Sequence, residues 1–130
     1  MMVTQRQHAI EKPVPALGAG VGLRRLYHEQ VLREHPPVRW FEILTENYLN
    51  RGGAVRRDLL AIAEQYPVCT HGIAMSIGGT EPLDWDHLRA VKQLNKDVNA
   101  EWSGEHLCFN YVDHTMITGL IPLPFTEEAA

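Results

Sequence analysis

The chain is short of several features, and each shortage narrows its function. Only two cysteines occur, Cys69 and Cys108, far apart and without a C-x-x-C spacing. A disulfide-rich scaffold is thereby excluded, and a reduced compartment is the expected one. Lysine and arginine total 12 against 16 acidic residues, a formal charge of −4 with histidine neutral. No basic stripe gathers along the chain, which argues against nucleic acid or an anionic membrane as a partner. No apolar run approaches the roughly 20 residues of a membrane span. The first sixteen residues lack the apolar stretch of a secretory leader, so a cytoplasmic protein is expected.

What is present fits an α/β chain. A hydrophobic content of 45% over 130 residues is enough for one domain with a real core. Residues 1–16 are polar, carry Pro13 and Pro15, and read as a flexible lead-in to a domain covering 17–130. Residues 17–23 (LGAGVGL) fit a short buried strand, and 25–34 have helical spacing up to Pro36-Pro37. Residues 39–45 (RWFEILT) are the clearest strand. After Gly52-Gly53, residues 55–65 repeat Leu59, Leu60, Ile62 and Ala63 at helical spacing. A third strand is expected over 67–71. A helix capped by Asp84 follows with Leu88, Val91 and Leu94, and a fourth strand is expected over 100–107.

Strands alternating with helices at about 30 residues per unit imply parallel βαβ crossovers. An open doubly wound sheet and a closed (β/α)8 barrel both satisfy that order. Gly18-Ala19-Gly20-Val21-Gly22 misses the third glycine of a dinucleotide fingerprint. The polar residues weigh more. The second strand runs into Glu46-Asn47, the third into His71-Gly72 and the fourth into Glu105-His106. In a (β/α)8 barrel the C-terminal strand ends converge on one rim that carries the chemistry. Two imidazoles there could share a transition metal with added carboxylates. A lone strand-end histidine is more often structural, so it is the pairing on neighbouring strands that carries the signal.

The other five histidines serve as a control. His8 falls in the lead-in, His28, His35 and His87 sit on or beside helices, and His114 follows the fourth strand in an irregular segment. All five are expected to be solvated or structural. Asp84-Trp85-Asp86 is better explained by helix capping than by metal binding. Ser76-Ile77-Gly78-Gly79-Thr80 lacks the lysine of a phosphate loop and reads as a lid or plain loop. Cys69 is expected in the core. Neither cysteine has a histidine beside it in sequence to activate a thiolate.

Longer stretches resemble the multinuclear non-haem iron-dependent oxidases, a family that includes the methanobactin-biosynthesis enzymes and was long catalogued as uncharacterised. The segments are Val21-Gly22-Leu23-Arg24, residues 40–48 (WFEILTENY), residues 66–72 (YPVCTHG), Ser76-Ile77-Gly78, Pro82-Leu83-Asp84, Glu105-His106-Leu107 and residues 123–129 (LPFTEEA). They occur in order from Leu17 to Ala129. One departure is Ser103-Gly104-Glu105-His106, where the family commonly reads Val-Ser-Glu-His. The resemblance implies a (β/α)8 barrel of the TIM (xylose-isomerase-like) type holding two or three iron ions. With molecular oxygen as co-substrate, these would oxidise a cysteine in a ribosomally made precursor peptide, with a leader-binding protein as a further partner. It carries over His71 and His106 as iron ligands, and Glu46 and Asn47 as contacts to the ligands or substrate. No catalytic side chain is assigned.

A barrel of this kind needs eight strands and about 250 residues, whereas four strands are legible here. The closing Thr126-Glu127-Glu128-Ala129-Ala130 reads as the first turn of a helix. The expectation is the N-terminal half of a barrel, truncated at its C-terminus, inactive alone and prone to self-association through its exposed half-barrel. Two alternatives come from other classes. One is a metal-dependent sugar isomerase or endonuclease-like TIM barrel, since fold does not fix function. The other is a non-catalytic truncated binding module.

Overall fold

The computed structural model describes residues 15–113 and 115–129. Most of the expected lead-in (residues 1–14, with His8), His114 and Ala130 lie outside the described residues. The alternation read from sequence is present as β1 (Val21–Gly22), α1 (His28–Glu34), β2 (Phe41–Leu44), α2 (Gly53–Ala63), β3 (Val68–Gly72), α3 (Trp85–Asp97) and β4 (Ser103–Glu105). The strands pair in parallel in the order β1-β2-β3-β4. Each strand lies beside its predecessor, without the reversal of order that defines a doubly wound sheet.

Local chemistry explains the boundaries. Helix α1 ends at His35, whose left-handed backbone (φ 46°) closes the last turn before Pro36-Pro37. Asp84 caps α3, with Oδ1 accepting the N–H of Asp86 at 2.9 Å and of His87 at 3.0 Å. Helices α2 and α3 bury Leu59 with Ile62 and Val91 with Leu94, pairs spaced three residues apart on one side of each helix.

The core sits between the sheet and these helices, where Phe41, Ile43 and Val68 meet Leu59, Ile62 and Leu94. Strand alternation then fixes two faces. Thr70 is on the helix-covered face, its hydroxyl donating to Asn95 Oδ1 of α3 at 2.7 Å. Glu42, Cys69 and His71 share the opposite face through the register Glu42↔Cys69 and His71↔Gly104. On that face His71 and Glu42 are partly open to solvent.

Three expectations need correction. Strand β1 is exposed rather than buried, with Val21 at 50%, because it is the outer strand and has a neighbour on one side only. The fourth strand is three residues long, and the segment after it is not irregular. It forms an antiparallel hairpin, β5 (Cys108–Val112) and β6 (Thr115–Pro122), with a bulge between Phe109 and Tyr111. The left-handed backbone of Asp113 (φ 48°) supplies the turn. The hairpin is tied to the loop after β3. Gly78 N–H donates to Cys108 O at 2.8 Å, and Asn110 gives its backbone N–H to Ser76 Oγ and its side-chain N–H to Ile73 O. The expected helix start near residue 126 is a single 3-10 turn, Glu127–Ala129. Among the described residues no helix is long and apolar enough to cross a membrane.

Candidate functional site

The parallel register brings the C-terminal ends of β3 and β4 together, and His71 and His106 meet there. His71 Nε2 lies 3.1 Å from His106 Nδ1, with ring centroids 4.6 Å apart and planes at 76°. His106 Nδ1 is also 3.1 Å from Gly72 O, an acceptor only, so the hydrogen-bond pattern puts a proton on His106 Nδ1. Its Nε2 is then the lone-pair nitrogen, and His71 Nε2 accepts. The proton of His71 falls on Nδ1, where Glu42 Oε2 stands 3.6 Å away, an ion-pair distance too long for a hydrogen bond. Each imidazole thus faces an oxygen through Nδ1, as metal-binding histidines typically do; His106 keeps its Nε2 lone pair, and that of His71 is engaged by His106.

The 3.1 Å contact is therefore a hydrogen bond between the two rings, and a shared ion would take both through Nε2 in its place. Among the described residues, however, no three His, Cys, Asp or Glu side chains are grouped so as to hold a metal ion. The pair supplies two donors, not a closed site.

Glu105 backs this pair. Its Oε1 accepts the backbone N–H of His106 at 3.0 Å, while its Oε2 is buried without a partner. Burial pushes its carboxyl above the usual carboxylate range, opposed by that hydrogen bond and reinforced by the nearby negative charge of Glu46. Gly72 makes room for it. A Cβ there would fall 2.0 Å from Glu105 Oε2, so only glycine admits this carboxylate position. Gly104, the departure from the family pattern, has no such constraint: a Cβ would meet nothing nearer than Thr70 O at 3.9 Å, and the strand register is regular.

Glu46 organises the neighbouring loop. Its Oε1 accepts the N–H groups of Ile73 and Ala74 at 3.0 and 3.1 Å, fixing the backbone immediately after His71-Gly72. Its Oε2 is buried without a hydrogen-bond partner, as is His87 Nε2, which lies 3.7 Å from Glu46 Oε1. Both side chains line a cavity of about 590 Å³ between the turn after β2, the β3–α3 loop, the start of α3 and the hairpin. Asn47 is exposed and does not line this cavity; Asn50 does.

The structure brings together His71, His106 and Glu46's loop, and leaves Asn47 outside. It also adds residues that sequence reasoning passed over. Glu42 faces His71 through strand alternation, which the spacing of β2 and β3 could have revealed. His87, expected to be solvated or structural, has a side chain only 17% exposed and faces Glu46. Its signal was its place three residues after the Asp84 cap, where side chains lean toward the helix start. His28 is structural, buried and 2.7 Å from the Tyr48 hydroxyl. Cys69 is fully buried, and burial pushes its thiol up to about 11, the opposite of an activated thiolate. Burial raises the Cys108 thiol too.

The chain is 37% identical over 111 residues to the UPF0276 protein of Acaryochloris marina, covering 85% of this chain and 40% of that one. It is 37% identical over 116 residues to the UPF0276 protein of Caulobacter vibrioides, covering 88% and 41%. A UPF0276 protein of Anaeromyxobacter is 37% identical over 113 residues, covering 87% and 40%. The chain thus spans about two fifths of the length of the curated relatives it matches. Residues 18–130 match the family described as RiPP precursor modification enzyme MbnB/TglH/ChrH, and the chain belongs to that family.

Proposed function

We propose that this chain is part of a (β/α)8-barrel enzyme whose rim carries a multinuclear non-haem iron centre and whose substrate is a cysteine in a ribosomally made precursor peptide. The observation that carries the reading is the meeting of His71 Nε2 and His106 Nδ1 at 3.1 Å on neighbouring strand ends. The unreversed strand order supports the barrel, and family membership supports the peptide substrate. When bound, iron supplies a Lewis-acidic, redox-active centre for a thiolate and molecular oxygen.

The chain's own residues prepare that centre. His71 and His106 offer neutral imidazoles. Gly72 O and Glu42 orient them through Nδ1, and Glu105 holds the backbone of His106. Glu46 sets the loop that follows. Cys69 and Cys108, buried with raised thiol pKa, stay out of the thiol chemistry. Two imidazole donors are fewer than a multinuclear centre needs, so the remaining ligands are proposed to come from sequence that the longer relatives hold outside the match. Exposed Val21, Leu120 and Phe125 are then surfaces for that complement, or for self-association in its absence.

The test is reconstitution. Co-expressed with the part of the Caulobacter vibrioides relative outside the match, the chain is expected to give oxygen uptake that needs both ferrous iron and a cysteine-containing peptide. His71→Ala and His106→Ala should each abolish it together with bound iron. Turnover of a sugar or nucleic acid with zinc or magnesium would replace this reading with the isomerase or endonuclease one.

A further inference from the structure

The peptide group between Gly72 and Ile73 is held from both ends. On one side its N–H donates to Glu46 Oε1 at 3.0 Å. On the other its carbonyl, Gly72 O, lies 3.1 Å from His106 Nδ1 and 3.3 Å from the backbone N of His106. A trans peptide is rigid and points its N–H and C=O in opposite directions, so fixing the one aims the other. The next N–H, of Ala74, converges on the same carboxylate oxygen at 3.1 Å, which keeps this stretch of backbone from turning about its axis. Glu46 itself has little room to swing, since its side chain is only 20% exposed and His87 Nε2 stands 3.7 Å from the same Oε1.

The neutral histidine pair can carry its protons in two ways that both keep the 3.1 Å bond between the rings. In one, His106 Nδ1–H donates to His71 Nε2, each ring has its proton on Nδ1, and His106 Nε2 is a lone pair. In the other, His71 Nε2–H donates to His106 Nδ1, and His106 Nε2 carries a proton. The second way sets the His106 Nδ1 lone pair against Gly72 O, and the His71 Nδ1 lone pair toward Glu42 Oε2 at 3.6 Å. We propose that Glu46 is a positioning residue that selects the first arrangement through the Gly72–Ile73 peptide. It aims Gly72 O at His106 Nδ1, and its charge polarises the peptide so that this carbonyl accepts more strongly. Only the place of the protons differs between the two arrangements, not the charge of the pair. The consequence is a lone pair on His106 Nε2, the form in which an imidazole binds a metal. The inference rests on the iron-centre reading for the use made of that lone pair, and its test needs no metal.

The metal-free 130-residue chain, labelled with ¹⁵N at histidine, is read by NMR at about pH 8.5, where an imidazole of ordinary pKa is neutral. The ¹⁵N shifts of Nδ1 and Nε2 give the tautomer ratio of each ring. His106 should be mostly Nδ1–H in the native chain. In Glu46→Ala its ratio of Nδ1–H to Nε2–H should fall roughly two- to tenfold, the weight of one neutral hydrogen bond. The ratio at His71 should fall with it, because the two rings share a proton. Glu46→Gln keeps an oxygen for Ile73 and Ala74 and should restore most of the ratio, leaving less than about a twofold fall. Glu46→Asp keeps the charge but is one methylene too short for the peptide, so it should lose the ratio even if the alanine variant does not fold. Asp84→Ala, which loosens the start of α3 without touching this peptide, controls for a general loss of stability and should leave the ratio unchanged. A native His106 that is mostly Nε2–H, an unchanged ratio in both Glu46→Ala and Glu46→Asp, or an equal fall in Asp84→Ala would overturn the proposal. If the ratios behave as expected while the reconstituted protein binds no iron, the oxidase reading fails and this one stands.

Discussion

Replacing Gly72 by alanine should damage the rim through one identifiable contact. The new Cβ would stand 2.0 Å from Glu105 Oε2 and 2.9 Å from its carboxyl carbon, far inside van der Waals contact. The backbone at Gly72 is ordinary extended strand in register with Glu105, so the conflict is with that side chain. The carboxylate must swing away, giving up the 3.0 Å bond from its Oε1 to the N–H of His106. A hydrogen bond to a charged group contributes about 1.5–3 kcal/mol, and relief of the carboxylate's burial returns part of it. The expected net cost is about 1–2 kcal/mol. A double-mutant cycle by urea unfolding isolates the contact. In a Glu105→Ala background the same Gly72→Ala change should cost less than about 0.5 kcal/mol, because nothing is left to displace. Equal costs in the two backgrounds would show that Gly72 is needed for some other reason and that Glu105 does not occupy this position.

Other consequences follow from neighbouring residues. Gly104→Ala, with only Thr70 O at 3.9 Å from the new Cβ, should leave stability unchanged or raise it by up to about 1 kcal/mol in the same unfolding assay. Asp84→Ala should cost about 1 kcal/mol in unfolding free energy and speed amide exchange at Asp86 and His87, whose N–H groups it caps. Burial lowers the His28 pKa below its ordinary 6.5, so the fold favours neutral imidazole. The associated stability is complete above that value and lost as pH falls through the lower folded pKa. The drop in unfolding free energy between about pH 7.5 and about pH 5.5 should therefore shrink in His28→Gln; an identical drop in both proteins would refute the assignment.

Much of the framework was legible because local pattern and global fold agree. The β-branched and aromatic run at Phe41–Leu44 and the Asp84 cap stand where local chemistry puts them, and a parallel repeat forces strand ends onto one rim. That geometry alone brings His71 to His106. Val21 was misjudged because position at the sheet edge is a tertiary fact that composition does not carry. The hairpin escaped because β6 carries a glycine at 119 and its turn depends on a left-handed Asp113, neither of which resembles the common two-residue hairpin signals. His87 escaped for a different reason. On a helix it looks like any solvated histidine, and its meaning comes from Glu46, 41 positions earlier and joined to it only by the fold.

The central claim is that His71 and His106 together bind iron. Histidine ring nitrogens of the chain, labelled with ¹⁵N, can be followed by NMR during anaerobic addition of ferrous iron. Paramagnetic broadening should strike His71 and His106 first and in parallel, spare His28 and His35, and disappear for both rings in either single alanine variant. Broadening that begins at His87 or His35, or that persists at one ring of the pair when the other is removed, would contradict the account.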